Sequence, residues 1–62
     1  MYRVSFSKEI FGVPFLIALI EVRLARNFER ALRAAELRFE RQHGLIDWRM
    51  RANMTMVEQS SF

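Results

Sequence analysis

Apolar and polar positions repeat with two different periods along the chain. Strand-like alternation covers residues 2–8, 15–24 and 48–57, whereas residues 27–43 carry apolar side chains three and four positions apart. A period of two is typical of a half-buried strand, and spacings of three and four are typical of a helix with one buried face. This order predicts an α+β fold, a small ββαβ domain in which one helix packs on one face of a three-stranded sheet.

Turn and cap residues set the predicted ends of these elements. Gly12 and Pro14 favour a chain reversal in residues 9–14, which predicts a loop longer than a tight hairpin. Asn27 is a favoured first cap, because its side-chain oxygen accepts a hydrogen bond from a free N–H group of the first helical turn. Gly44 follows the helical spacing and is predicted to end the helix in the left-handed conformation.

A single long helix over residues 15–43 is an alternative, with Pro14 in its first turn. That helix would place Glu21 within the apolar face and would turn Leu19 and Val22 away from it. The periodicity therefore favours a strand followed by a helix. The position of the third strand stays open, because it fits beside either the first or the second strand.

The second strand is apolar on both faces for half its length. One face of this strand carries Leu16, Ala18, Ile20, Val22 and Leu24. If the helix covers that face, the other face exposes an apolar strip that predicts self-association: Phe15, Ile17 and Leu19. A central position in the sheet, pairing of its edge with a second copy, or face-to-face packing of two sheets would each bury this strip. The apolar face of the predicted third strand is interpreted as part of the core. Its members are Trp48, Met50, Met54 and Met56.

Arginines dominate the positive charge, which gives a net charge of +3. Helical projection places four of them around Leu37 on the outward face of the helix: Arg26, Arg30, Arg33 and Arg41. A solvated face is one interpretation, with a Glu29–Arg33 pair one turn apart. Contact with an acidic partner is the other, and weak nucleic-acid binding is its specific form.

Catalytic and metal-binding chemistry has few candidate residues here. The chain has no cysteine and one histidine, His43, whose place beside Gly44 predicts a role at the helix end. Gly12 and Gly44 are isolated, so no glycine-rich phosphate loop is present. We therefore expect no catalytic site, no metal, no cofactor and no small-molecule substrate.

The length of 62 residues leaves room for one domain. We expect a single domain over residues 1–62, with an ordered core at about residues 2–58 and a frayed tail at residues 59–62. A chain of this size buries only about 60% of its unfolded surface, and disulfides are excluded. Oligomerisation is the remaining reinforcement, which points to a homo-oligomer such as a dimer.

The apolar run at residues 10–20 is too short to span a bilayer, which takes about 20 residues. No small-residue cleavage pair follows it, so it does not fit a signal peptide. We expect a cytoplasmic protein that does not contact membranes.

One resemblance spans most of the chain. Its residues are the segment Phe11-Gly12-Val13-Pro14-Phe15, the segment Arg30-Ala31-Leu32-Arg33-Ala34-Ala35, and then Phe39, Gly44 and Trp48. This layout is similar to short uncharacterised bacterial proteins. The resemblance implies no activity and assigns no functional residues. The sequence thus predicts a non-catalytic structural or interaction module, with a weak nucleic-acid binder as the alternative.

Overall fold

Two long strands form a hairpin at the start of the chain. The structure is a computed structural model that describes residues 1–59, in which β1 spans Tyr2–Ile10 and β2 spans Val13–Val22. The strands pair antiparallel through a two-residue turn at Phe11 and Gly12. Both turn residues have positive φ, 52° and 78°, as in the tight hairpin turns that match strand twist. The predicted long loop at residues 9–14 is therefore wrong.

The helix α1 spans Phe28–His43 and has both predicted caps. The Asn27 side chain accepts a hydrogen bond from the Arg30 backbone N–H at 2.9 Å. Gly44 adopts the left-handed conformation with φ 64° and donates its N–H to the Glu40 carbonyl. Because β2 occupies residues that a long helix would need, the alternative helix over residues 15–43 is excluded.

The region predicted as the third strand, residues 48–57, contains parts of two different elements. Trp48–Met50 forms a 3₁₀ helix, and β3 begins later and spans Met54–Gln59. Asp47 caps the 3₁₀ helix by accepting from the Arg49 backbone N–H at 3.0 Å. β3 includes Gln59, the first residue of the predicted frayed tail at residues 59–62, and residues 60–62 lie outside the described part of the chain.

The sheet order is β2-β1-β3, so β1 is central and antiparallel to both neighbours. The predicted α+β fold with element order ββαβ is confirmed. Phe6 of β1 stacks on Phe39 of α1 with ring centroids 4.4 Å apart, and Trp48 meets Phe6 edge-on at 5.7 Å. The buried core is formed by Val4, Phe6, Ile20, Val22, Ala31, Ala35, Phe39 and Ala52.

Candidate interaction surface

α1 covers one face of the sheet, and no element within residues 1–59 covers the other, which we call the open face. Val4 and Phe6 of β1 are fully buried under α1. Since successive side chains of a strand point to opposite faces, the odd-numbered residues of β1 point away from α1. Residues paired across antiparallel strands share a face, so the pairing register identifies the rest of this surface.

β2 contains a β-bulge at Ile17. Phe6 pairs with Ala18, but the next residue of β1, Ser7, pairs with Leu16, which leaves Ile17 without a partner on β1. An extra residue shifts the alternation of faces by one position. Even-numbered residues of β2 therefore face α1 after the bulge, and odd-numbered residues share that side before it.

The bulge changes the predicted self-association strip, because Phe15, Ile17 and Leu19 do not share one uncovered face. Phe15 pairs with Lys8 on the helix side of the sheet. Ile17 packs against the buried core. Leu19 alone of the three lies on the open face. Leu16 joins it there, although strict alternation assigns Leu16 to the covered face.

At the middle of the open face, two serines of β1 lie between apolar residues of β2 on one side and of β3 on the other. We call these two apolar groups the apolar walls. Ser5 pairs with Leu19 on one side and Met56 on the other, and Ser7 pairs in the same way with Leu16 and Met54. These four apolar residues are substantially exposed: Leu16 64%, Leu19 51%, Met54 40% and Met56 58%.

The assignment of the methionine face to the core is therefore wrong. Met54 and Met56 lie on the open face, and Met50 of the 3₁₀ helix is 64% exposed. Trp48 alone of that predicted set packs against the core, where it is half-buried.

Charged residues occupy both ends of the open face. At one end, Arg3 pairs with Glu21 of β2 and Glu58 of β3, so one cation lies between two anions across the sheet. At the other end lies Glu9, whose backbone N–H donates to the Asn53 side-chain oxygen at 2.8 Å. The Asn53 amide donates back to the Glu9 carbonyl at 3.3 Å, which continues the pairing beyond β3. The two apolar walls and the serines between them are thus bounded by charged residues at both ends along the strand direction.

The hairpin tip, residues 10–13, is a second exposed apolar group. Phe11 is fully exposed, Ile10 is 44% exposed and Val13 is 53% exposed. Phe15 lies next to the tip on the helix side and is exposed to the same extent as Val13.

The predicted arginine stripe is divided by the helix start. Arg26 precedes the Asn27 cap and is not part of α1. Arg30, Arg33 and Arg41 are exposed on α1. Arg33 forms an ion pair with Glu36 at 3.5 Å rather than with the predicted partner Glu29.

The other chemical groups are scattered. A shallow cavity of about 400 Å³ lies where the end of β2 meets α1, next to the exposed Leu24. Arg38 lines it and donates to the Glu21 carbonyl at 2.8 Å. Within residues 1–59, no three histidine or acidic side chains come together in a way that would hold a metal ion. In the same part of the chain, no helix is both long and apolar enough to cross a membrane.

Comparisons with known proteins identify no relative of this chain. No protein-family model, no curated protein and no solved structure matches the chain. The site is therefore defined by its own geometry.

Proposed function

We propose that this chain is a non-catalytic interaction module of the cytoplasm that forms a homo-oligomer through its open face. The observation that carries the proposal is the pair of apolar walls on that face, formed by Leu16 and Leu19 on β2 and by Met54 and Met56 on β3. A group of exposed apolar side chains bounded by polar residues is typical of a protein interface.

Face-to-face packing suits this surface better than pairing of strand edges. β2 is an edge strand, which removes the interpretation that it is central. Its edge carries Pro14 and the bulge at Ile17, and both features hinder the addition of another strand. Edge pairing would also leave the apolar walls in water, whereas packing of two open faces covers all four apolar side chains of each subunit.

The energetic reason for association is the small size of the core. Within residues 1–59, the eight buried hydrophobic residues include only two aromatic side chains, Phe6 and Phe39. Covering a Leu or Met side chain completely contributes about 1.5–3 kcal/mol relative to exposure. Completing the burial of the four half-covered side chains on each subunit therefore adds several kcal/mol, which is comparable to the net stability of a small domain.

Leu19→Glu is expected to raise the dissociation constant of the oligomer more than a hundredfold. The change removes an apolar contact from each subunit and introduces a charge that the interface would have to desolvate. Sedimentation equilibrium at micromolar concentration measures the effect.

Leu37→Glu is the matched control, because Leu37 has similar exposure at 45% but lies on α1 and is expected to leave the mass distribution unchanged. A strictly monomeric wild-type protein would overturn the proposal.

Weak nucleic-acid binding is a second candidate function. It is supported by Arg30 and Arg41, which are exposed on α1 and form no ion pair within residues 1–59. α1 lies on the opposite side of the sheet from the open face, so the two functions do not compete for one surface.

A further inference from the structure

The order of charges along β1 distinguishes between two ways of packing two open faces. Four residues of β1 lie on this face in the order Arg3, Ser5, Ser7 and Glu9. When two sheets pack face to face with their strands aligned, the two-fold axis between them runs either across the strands or along them. The following inference rests on the proposed self-association and concerns its geometry.

We infer that two copies pack face to face about a two-fold axis that runs across the strands near Phe6. This axis reverses the strand direction, so Arg3 lies over Glu9 of the partner subunit, and the contact occurs twice by symmetry. The same operation places Ser5 over Ser7 of the partner subunit, and each apolar wall lies over its own copy. Along β1, the open face is thereby complementary to itself in both charge and polarity.

The other axis, along the strands, produces charge conflicts. It places Arg3 over Arg3 of the partner subunit and Glu9 over Glu9 of the partner subunit. It also brings Glu21 over Glu58 of the partner subunit. Like charges across an interface oppose association, so the antiparallel arrangement is favoured.

Charge reversal tests the contact between Arg3 and Glu9. In the antiparallel dimer, Glu9→Arg replaces two attractive pairs with two repulsive ones, and we expect the dissociation constant to rise roughly tenfold or more at low salt. Adding Arg3→Glu to the same chain exchanges the two charges, and the double variant is expected to recover the wild-type constant.

The recovery separates this contact from effects on the fold. Arg3→Glu alone places three acids in one row with Glu21 and Glu58 and is expected to weaken the monomer. If Arg3→Glu destabilises the monomer and still restores dimerisation of the Glu9→Arg variant, the recovery must come from a contact between subunits. Glu29→Arg on α1 is the matched charge reversal away from the sheet, and we expect it to leave the dissociation constant unchanged.

A distance measurement gives an independent readout. The chain has no cysteine, so Phe11→Cys provides one site for a spin label at the hairpin tip. Phe11 lies five residues from the proposed axis, so a rise of 3.4 Å per residue and a sheet separation of about 10 Å predict labels about 35 Å apart. The parallel arrangement would bring both tips to the same end, with the labels within about 20 Å.

The outcomes separate this inference from the proposed function. A monomeric wild-type protein would overturn both. Two results with a dimeric wild type would leave the self-association in place and overturn the antiparallel arrangement. One is a dissociation constant of the Glu9→Arg variant equal to that of the wild type, and the other is a distance between the labels within about 20 Å. Weakening by Glu9→Arg, recovery in the double variant and labels about 35 Å apart would support it.

Discussion

At the residue scale, Phe11 combines backbone strain with complete exposure. It is the one non-glycine residue within residues 1–59 that has a positive φ, 52°. This conformation brings Cβ close to the following carbonyl oxygen and costs about 1–2 kcal/mol for most residues. The ring is fully exposed, so no contact within the subunit offsets that cost.

Phe11→Asn is expected to raise the free energy of unfolding by about 1 kcal/mol, because Asn-Gly is the favoured sequence for this hairpin turn. Urea denaturation at a concentration where the protein is monomeric measures the change. Gly12→Ala is the control in the opposite direction, since its φ of 78° strains any residue that has a Cβ. A less stable Phe11→Asn variant would contradict the assignment of backbone strain to Phe11.

At the element scale, a side-chain hydrogen bond joins α1 to the 3₁₀ helix. The half-buried Glu40 carboxylate accepts from the Trp48 backbone N–H at 2.8 Å. The bond holds Trp48 in position beside Phe6. Glu40 therefore links α1 to the 3₁₀ helix.

Glu40→Ala is expected to lower the free energy of unfolding by about 2 kcal/mol, because a backbone N–H loses a charged acceptor. Glu40→Gln keeps a carbonyl acceptor and is expected to lower it by less. Trp48 is the only tryptophan, so its fluorescence during urea denaturation reports on this turn. The control is Glu29→Ala, which removes an exposed carboxylate from the first turn of α1. Equal losses for Glu40→Ala and Glu29→Ala would contradict the role of the hydrogen bond.

The elements predicted correctly from the sequence depend on local spacing. The caps Asn27 and Gly44 act within one helical turn, and the alternating faces of β1 require only a regular strand. The bulge at Ile17 instead depends on how β2 pairs with β1, which the pattern of a single strand does not contain. For this reason alternation alone places Phe15, Ile17 and Leu19 on one face, whereas the register leaves only Leu19 of the three on the open face.

One residue of the sequence favours the 3₁₀ helix over the predicted start of the third strand. Trp48, Met50 and Ala52 alternate as a strand would, but Asp47 directly precedes them. Asp is a favoured cap for a helical turn, and its carboxylate also pairs with Arg49 at 2.9 Å. Hydrogen bonds from Arg49 lower the pKa of Asp47. An Asp cap before a short apolar alternation therefore favours a turn.

At the scale of the whole molecule, one helix is too little to cover a three-stranded sheet on both faces. The element order alone implies an uncovered face, and this part of the candidate site follows from the sequence. The residues on that face follow only from the register, because Met54 and Met56 are placed there by pairing with Ser7 and Ser5. The charge order of β1 then becomes informative about the partner.

The exposed arginines of α1 raise the question of whether positive charge alone is enough for this protein to bind nucleic acid. If the arginines only form a solvated face, we expect no binding to a random DNA duplex or single strand near physiological salt, because Arg33 is paired with Glu36 and Arg26 lies outside α1. Any binding at low salt is expected to weaken with a slope of about 0.9 in log affinity per neutralised phosphate of a duplex. Fluorescence anisotropy with both labelled probes at two salt concentrations measures this slope.

Arg30→Gln with Arg41→Gln removes two exposed cations from α1 and is expected to reduce any duplex slope by roughly two units. Sedimentation of the same variant is expected to match the wild type, because neither arginine lies on the open face. Anisotropy changes that persist near physiological salt and disappear in this variant would make nucleic-acid binding the main function of the chain. Self-association would then serve to present two arginine-bearing helices on opposite sides of one dimer.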